Sequence, residues 1–191
     1  MSRSAAATPA PQQAVSAGGA LALLLTVIGV LARLLPHPAN FTPVGAASLF
    51  SGARLKPWQA YLVPLGILAV TDPILNAYYG FPLFSGYAVF TYIGFLLAVW
   101  IGTRLRGTKN IWQIGAACVL SSVQFFVITN FGSWLIGPDY PATFAGLVRC
   151  YVMAIPFFRT TLVSDLLFTV VLFGLHAWLS RLVASREHVS A

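Results

Sequence analysis

Charge is what this sequence has least of. Of 191 residues, 8% are charged and 58% hydrophobic, and only four are acidic: Asp72, Asp139, Asp165 and Glu187. Soluble domains carry about 25% charged residues. The chain therefore lacks the side chains for a hydrated surface and reads as an integral membrane protein of one domain. Cysteine is scarce too. Cys118 and Cys150 belong to no spacing motif, which excludes a disulfide framework. There is no CxxC, GxGxxG, HExxH or P-loop pattern. No Ser/His/Asp arrangement is evident, so the expectation is no enzyme, no catalytic residue, no metal and no cofactor. A proton-driven transporter needs a mid-membrane chain of carboxylates or histidines, and inverted-repeat transporters need two matching broken helices. Neither is present.

The net charge of +7 is not a nucleic-acid signal. The basic residues lie in ones to threes between apolar runs and build no basic face, so the positive-inside rule accounts for them. Six apolar segments are expected: Ala17–Leu35, about Phe41–Ala53, Pro57 to about Tyr78, about Gly86–Leu105, Asn110–Ile136 and about Arg159–Leu182. Ala142–Ile155, which carries Arg149, reads as an extra interfacial helix before the last span. Residues 1–16 are a polar tail, 17–184 the transmembrane domain and 185–191 a second tail. Six spans put both termini on one side. That side would hold Arg3, Arg54, Lys56, Arg104, Arg106, Lys109, Arg181 and Arg186, and the short opposite loops 36–41 and 79–85 hold no Lys or Arg. Both termini are therefore expected in the cytoplasm, with the chain in the bacterial cytoplasmic membrane and in contact with its lipid.

The stretch Arg33–Leu55 stands apart. It passes through Pro36, Pro38 and Pro43 and re-enters an apolar run of about 13 residues, some 20 Å of helix against about 30 Å of hydrocarbon. Thr42 then Pro43 reads as an N-cap and first helical residue. Gly45 to Gly52 supplies a small-residue face for close helix packing. A short hydrophobic segment broken by Gly and Pro points to a substrate site; the plainer alternative is a helix hairpin with a proline-rich turn.

The polar residues collect in one layer toward the outer ends of the spans. Arg33, Asp72, Asn76, Asn130, Ser133, Arg159, Ser164 and Asp165 fall there, with Asn40, Phe41, Tyr87, Phe90, Tyr92 and Trp134 nearby. Ionisable groups inside a span face a partner or a wet cavity. Two readings stand: Asp72 and Asp165 pair with Arg33 and Arg159 to fix the bundle, or the layer lines a cavity open to the outside. In the second, Arg33, Asp72, Arg159 and Asp165 bind or pair, Asn40, Asn76 and Asn130 orient a ligand, and Phe41, Tyr87, Phe90, Tyr92 and Trp134 stack on it.

The segment Asn40–Gly52, NFTPVGAASLFSG, together with Asp72-Pro73 and Asn130-Phe131-Gly132-Ser133-Trp134, resembles a family of small bacterial membrane proteins. That family in turn is similar to the substrate-binding S components of energy-coupling factor (ECF) transporters. The resemblance implies a six-helix S-component-like bundle that takes up a vitamin or similar micronutrient. Its partners would be an ECF scaffold and ATPase subunits, or none, as in solitary transporters similar to BtuM. Two features depart from those patterns. The first span has Gly18-x-x-x-Ala22 in place of the AxxxA docking pattern, and no cysteine stands in the loop after Gly80, so cobalamin ligation would fall to Cys150 or His37. The alternative function is a structural or regulatory membrane subunit without a ligand.

Overall fold

The computed structural model describes residues 17–82 and 86–189; the tail expected over 1–16 lies outside them. Among the described residues six helices follow one another: α1 (Ala17–Leu34), α2 (Val44–Arg54), α3 (Pro57–Tyr79), α4 (Gly86–Thr103), α5 (Ile111–Ile136) and α6 (Phe144–Val189). α3, α4, α5 and the Phe144–Arg181 part of α6 are long and apolar enough to cross a membrane, and α1 is a shorter apolar helix. The protein is thus an all-helical, membrane-embedded bundle.

α2 is the centre of the bundle. Its apolar and small residues are buried on every side, from Val44 and Ala46 through Ala53. A helix apolar all round belongs inside a bundle, and the glycines set how closely the neighbours approach. A Cβ at Gly52 would strike the Val99 carbonyl of α4, and one at Gly102 would strike that of Leu49. The α2 hydroxyls are satisfied in place: Ser48 Oγ donates to Val44 O (2.7 Å) and Ser51 Oγ to Ala60 O of α3 (3.0 Å). At the far end of α2 two arginines cross between turns. Arg54 donates to the carbonyls of Leu105 and Thr108, and Arg106 to those of Gly52 and Leu55. These carbonyls lie at or beyond helix ends, where intrahelical donors run out, and that of Leu105 also accepts from Thr108 N.

α2 starts one residue later than its sequence suggests. Pro43, not Thr42, is the capping residue and supplies no side-chain cap. The larger difference is α6. The expected break between Ile155 and Arg159 and the separate interfacial helix do not occur; one helix of 46 residues runs through Pro156 and on to Val189, taking in residues 185–189 of the expected tail. In hydrocarbon each unsatisfied backbone group costs several kcal/mol, so losing the one N–H that proline lacks is less costly than ending the helix there.

This continuity resets the depth scale. Asn130 lies beside Cys150, Phe126 beside Phe158, Ser122 beside Asp165 and Cys118 beside Thr169. Ser122 is 11 residues into the 26 of α5, about 17 Å from that end. Asp165 therefore sits halfway through the bundle, not in its outer third. α2 is similarly limited. Its lower end is tied to the start of α3, and its 11 residues rise about 17 Å. α1 ends level with Thr71 and Asp72, about 11 Å short of the end of α3. The connection 35–43 is consequently set below the end of α3, with residues 35–40 exposed and Pro43 buried.

Candidate functional site

Above and beside that connection lies a cavity of about 540 Å³. Every helix contributes to it, and the contributions follow helical periodicity. α4 supplies Tyr87, Thr91, Phe95 and Ala98; α5 supplies Ser121, Phe125, Phe126, Thr129 and Asn130; α6 supplies Ala154, Phe157, Phe158, Thr161 and Asp165. Arg33, His37, Ala39, Asn40, Thr42, Gly45, Leu75 and Tyr79 complete the lining from α1, the connection, α2 and α3. The spacings 91, 95, 98 and 121, 125, 129 and 154, 158, 161, 165 each mark one face of a helix.

The floor is Asp165, buried with 6% of its surface exposed. Its carboxylate accepts from Ser122 Oγ at 2.7 Å and from the backbone N–H of Ala46. Ala46 lies in the first turn of α2, so Asp165 caps that helix from α6, where Pro43 cannot. The neighbouring Ser164 Oγ donates to Thr42 O at 2.8 Å, just ahead of the same helix start. Gly45 gives the acid room: a Cβ there would clash with Asp165 Oδ1, and one of the two would have to shift.

At the mouth, Arg33 Nη1 lies 2.5 Å from Asp72 Oδ1 and also donates to Thr71 Oγ1. The Tyr92 hydroxyl donates to Asp72 as well. The pair is about one-fifth exposed on each side and ties α1 to α3. His37 sets its ring nitrogens against the carbonyls of Pro38 (2.8 Å) and Arg33 (3.3 Å). Asn40 turns the chain at φ 61°, a left-handed conformation that asparagine tolerates better than most residues. Asn130 Nδ2 donates back to Phe126 O at 2.8 Å.

Of the twelve residues expected to meet a solute, the structure places five on the cavity: Arg33, Asn40, Tyr87, Asn130 and Asp165. Seven lie elsewhere. The Asn40 turn sends Phe41 onto Phe168, with ring centroids 5.8 Å apart. Asp72 stands behind Arg33, with Tyr92 against it. Asn76 lies on α3 outside the lining, its carbonyl accepting from Phe81 N. Phe90 packs over Gly132 against Phe131, and Trp134 Nε1 donates to Pro141 O. Arg159 is exposed. The conjectured Arg159–Asp165 pair does not form, because six residues along a helix turn the two side chains about 120° apart. Cys150 is buried with Sγ against Asn130 O, away from the cavity, and among the described residues no group of His, Cys, Asp or Glu is placed to hold a metal. The residues that sequence reasoning missed are the inner walls: Thr91, Phe95, Ser121, Phe125, Phe126, Thr129, Phe157, Phe158 and Thr161. Their signal was the alternation of hydroxyl and aromatic side chains at three- and four-residue spacing.

The pattern of the family described as Family of unknown function (DUF6580) matches residues 15–187, and the chain belongs to that family. Neither the curated proteins nor the solved structures contain a match to it.

Proposed function

We propose that this chain is a substrate-binding membrane subunit for uptake of a vitamin or similar small micronutrient, an S-component-like protein whose cavity opens to the outside of the bacterial cytoplasmic membrane. The observation that carries this reading is the cavity itself. Small-molecule sites are concave, about 300–1,000 Å³, mainly apolar and aromatic, with a few convergent polar groups. Here about 540 Å³ is walled by phenylalanines and reached by Arg33, Asn40, Asn130 and Asp165. The chemistry is recognition alone: rings stack on the α4–α6 walls and the polar groups fix orientation.

The membrane orientation follows from the arginines. Arg54, Arg104 and Arg106 lie at the end of the bundle opposite the mouth, and by the positive-inside rule they support an orientation with that end and both termini in the cytoplasm. Delivery across the membrane would use ECF scaffold and ATPase subunits, or proceed without them as in solitary transporters. The Arg33–Asp72 pair favours a second reading, a structural or regulatory subunit, since an ion pair between α1 and α3 is what bundle-fixing charges would make.

Mass spectrometry of the small molecules that co-purify with the protein, followed by thermal-shift measurements against the water-soluble vitamins, separates the two. The binding reading expects a retained solute and a raised melting temperature with one vitamin. An empty preparation that no vitamin stabilises sinks it.

A further inference from the structure

We infer that the cavity selects an organic cation, a protonated amine or quaternary ammonium group carried on a ring, with the positive group seated on Asp165. This rests on the binding reading above and names its substrate class.

The charges around the cavity point to this. Arg33 at the mouth is already neutralised by Asp72 at 2.5 Å. Asp165 at the floor makes no ion pair with any described Arg, Lys or His, since the ion pair among the described residues is Arg33–Asp72. The chain carries +7 overall, yet the cavity interior holds an uncompensated carboxylate. Capping α2 does not account for it. A cap needs an acceptor, which Asn or Ser supplies as well as Asp, whereas an acid at mid-span is costly to insert. The start of α2 offsets part of the charge, about half an elementary unit. A carboxylate has about four acceptor positions. Ser122 and Ala46 take two, and the residue still faces the cavity.

The surrounding walls suit the same ligand. Phe95, Phe125, Phe126, Phe157 and Phe158 line the cavity, and aromatic faces attract a cation more strongly once it is desolvated. A carboxylate below and aromatic rings around make a cage for a cation and a poor site for an anion.

The test uses the purified full chain and three probes of similar size: benzyltrimethylammonium (cation), benzyl alcohol (neutral) and benzoate (anion). The thermal shift and its dose dependence are read for each. The wild type is expected to bind benzyltrimethylammonium at least tenfold more tightly than the other two. Asp165→Asn, which keeps an acceptor for the α2 cap, is expected to erase that preference. Thr161→Lys, one helical turn from Asp165 and outside the cap, is expected to do the same should Asp165→Asn fail to fold. Equal or tighter binding of benzyl alcohol or benzoate overturns the cation assignment and leaves a binding cavity standing. Persistence of the cation preference in either folded variant also overturns it, by removing Asp165 as the seat. No binding of any probe overturns the assignment, and the co-purification experiment above then decides separately whether the cavity binds a solute at all.

Discussion

Gly45 and Asp165 stand in close contact: a Cβ on residue 45 would clash with the carboxylate oxygen Oδ1. The acid can cap α2 from α6 only because residue 45 has no side chain. Gly45→Ala is therefore expected to destabilise the bundle by about 1–3 kcal/mol, the usual cost of overpacking, despite the better helix propensity of alanine. Thermal unfolding in detergent measures it. A stability equal to the wild type would mean that the Asp165 cap is dispensable.

The pair Arg33–Asp72 is expected to couple energetically. Arg33→Met and Asp72→Asn should each lower stability, and the double variant should lose less than the two singles together, by about 0.5–3 kcal/mol. A double-mutant cycle on melting free energies reads this directly, and strict additivity would show that the pair does not hold α1 to α3.

The seam between α2 and α4 makes a sharper contrast. Gly102→Ala puts a methyl group onto the Leu49 carbonyl, whereas a Cβ at Gly174 of α6 meets nothing within 4 Å. Gly102→Ala is expected to lower folded yield markedly. Gly174→Ala should be neutral or stabilising by up to about 1 kcal/mol from helix propensity. Size-exclusion yield and melting temperature of the two variants suffice, and similar behaviour of both would contradict the close α2–α4 approach.

Orientation can be tested with single cysteines. Cys118 and Cys150 are 1% and 2% exposed, so background labelling should be low. Ala142→Cys, in the α5–α6 turn, is expected to react with a membrane-impermeant maleimide on intact cells. Lys109→Cys, in the α4–α5 turn, should react only after permeabilisation. The reverse pattern would invert the topology.

The helices were legible because apolar runs in this chain are bounded by prolines, glycines and arginines. The short central helix was legible because Gly45, Ser48 and Gly52 recur at three- and four-residue spacing. In the last third the gap between Ile155 and Arg159 reads as a boundary, but a helix in hydrocarbon keeps its backbone bonds across Pro156, and Arg159 stands on an exposed face. That single misreading moved Asp165 from the midplane to the outer layer and gave it Arg159 as a partner. Phe41 was misplaced for a local reason: the left-handed turn at Asn40 redirects the next side chain, and no pattern of apolar residues encodes that φ angle. The cavity walls on α4, α5 and α6 were hidden because Thr and Phe at helical spacing also describe plain lipid-facing or core surface.

The two crossed arginines have a consequence for the shape of the cavity. Arg54 and Arg106 fasten the lower end of α2 to the α4–α5 turn, while Asp165 fastens its upper end and the glycine seam closes its side against α4. The cavity is thus a blind well with α2 as its plug, sealed at both ends. If the proposed uptake holds, a solute in the well would not leave by the opposite side while these fastenings hold, and inward release would require that α2 be withdrawn as one unit or that the whole protein turn over in the bilayer.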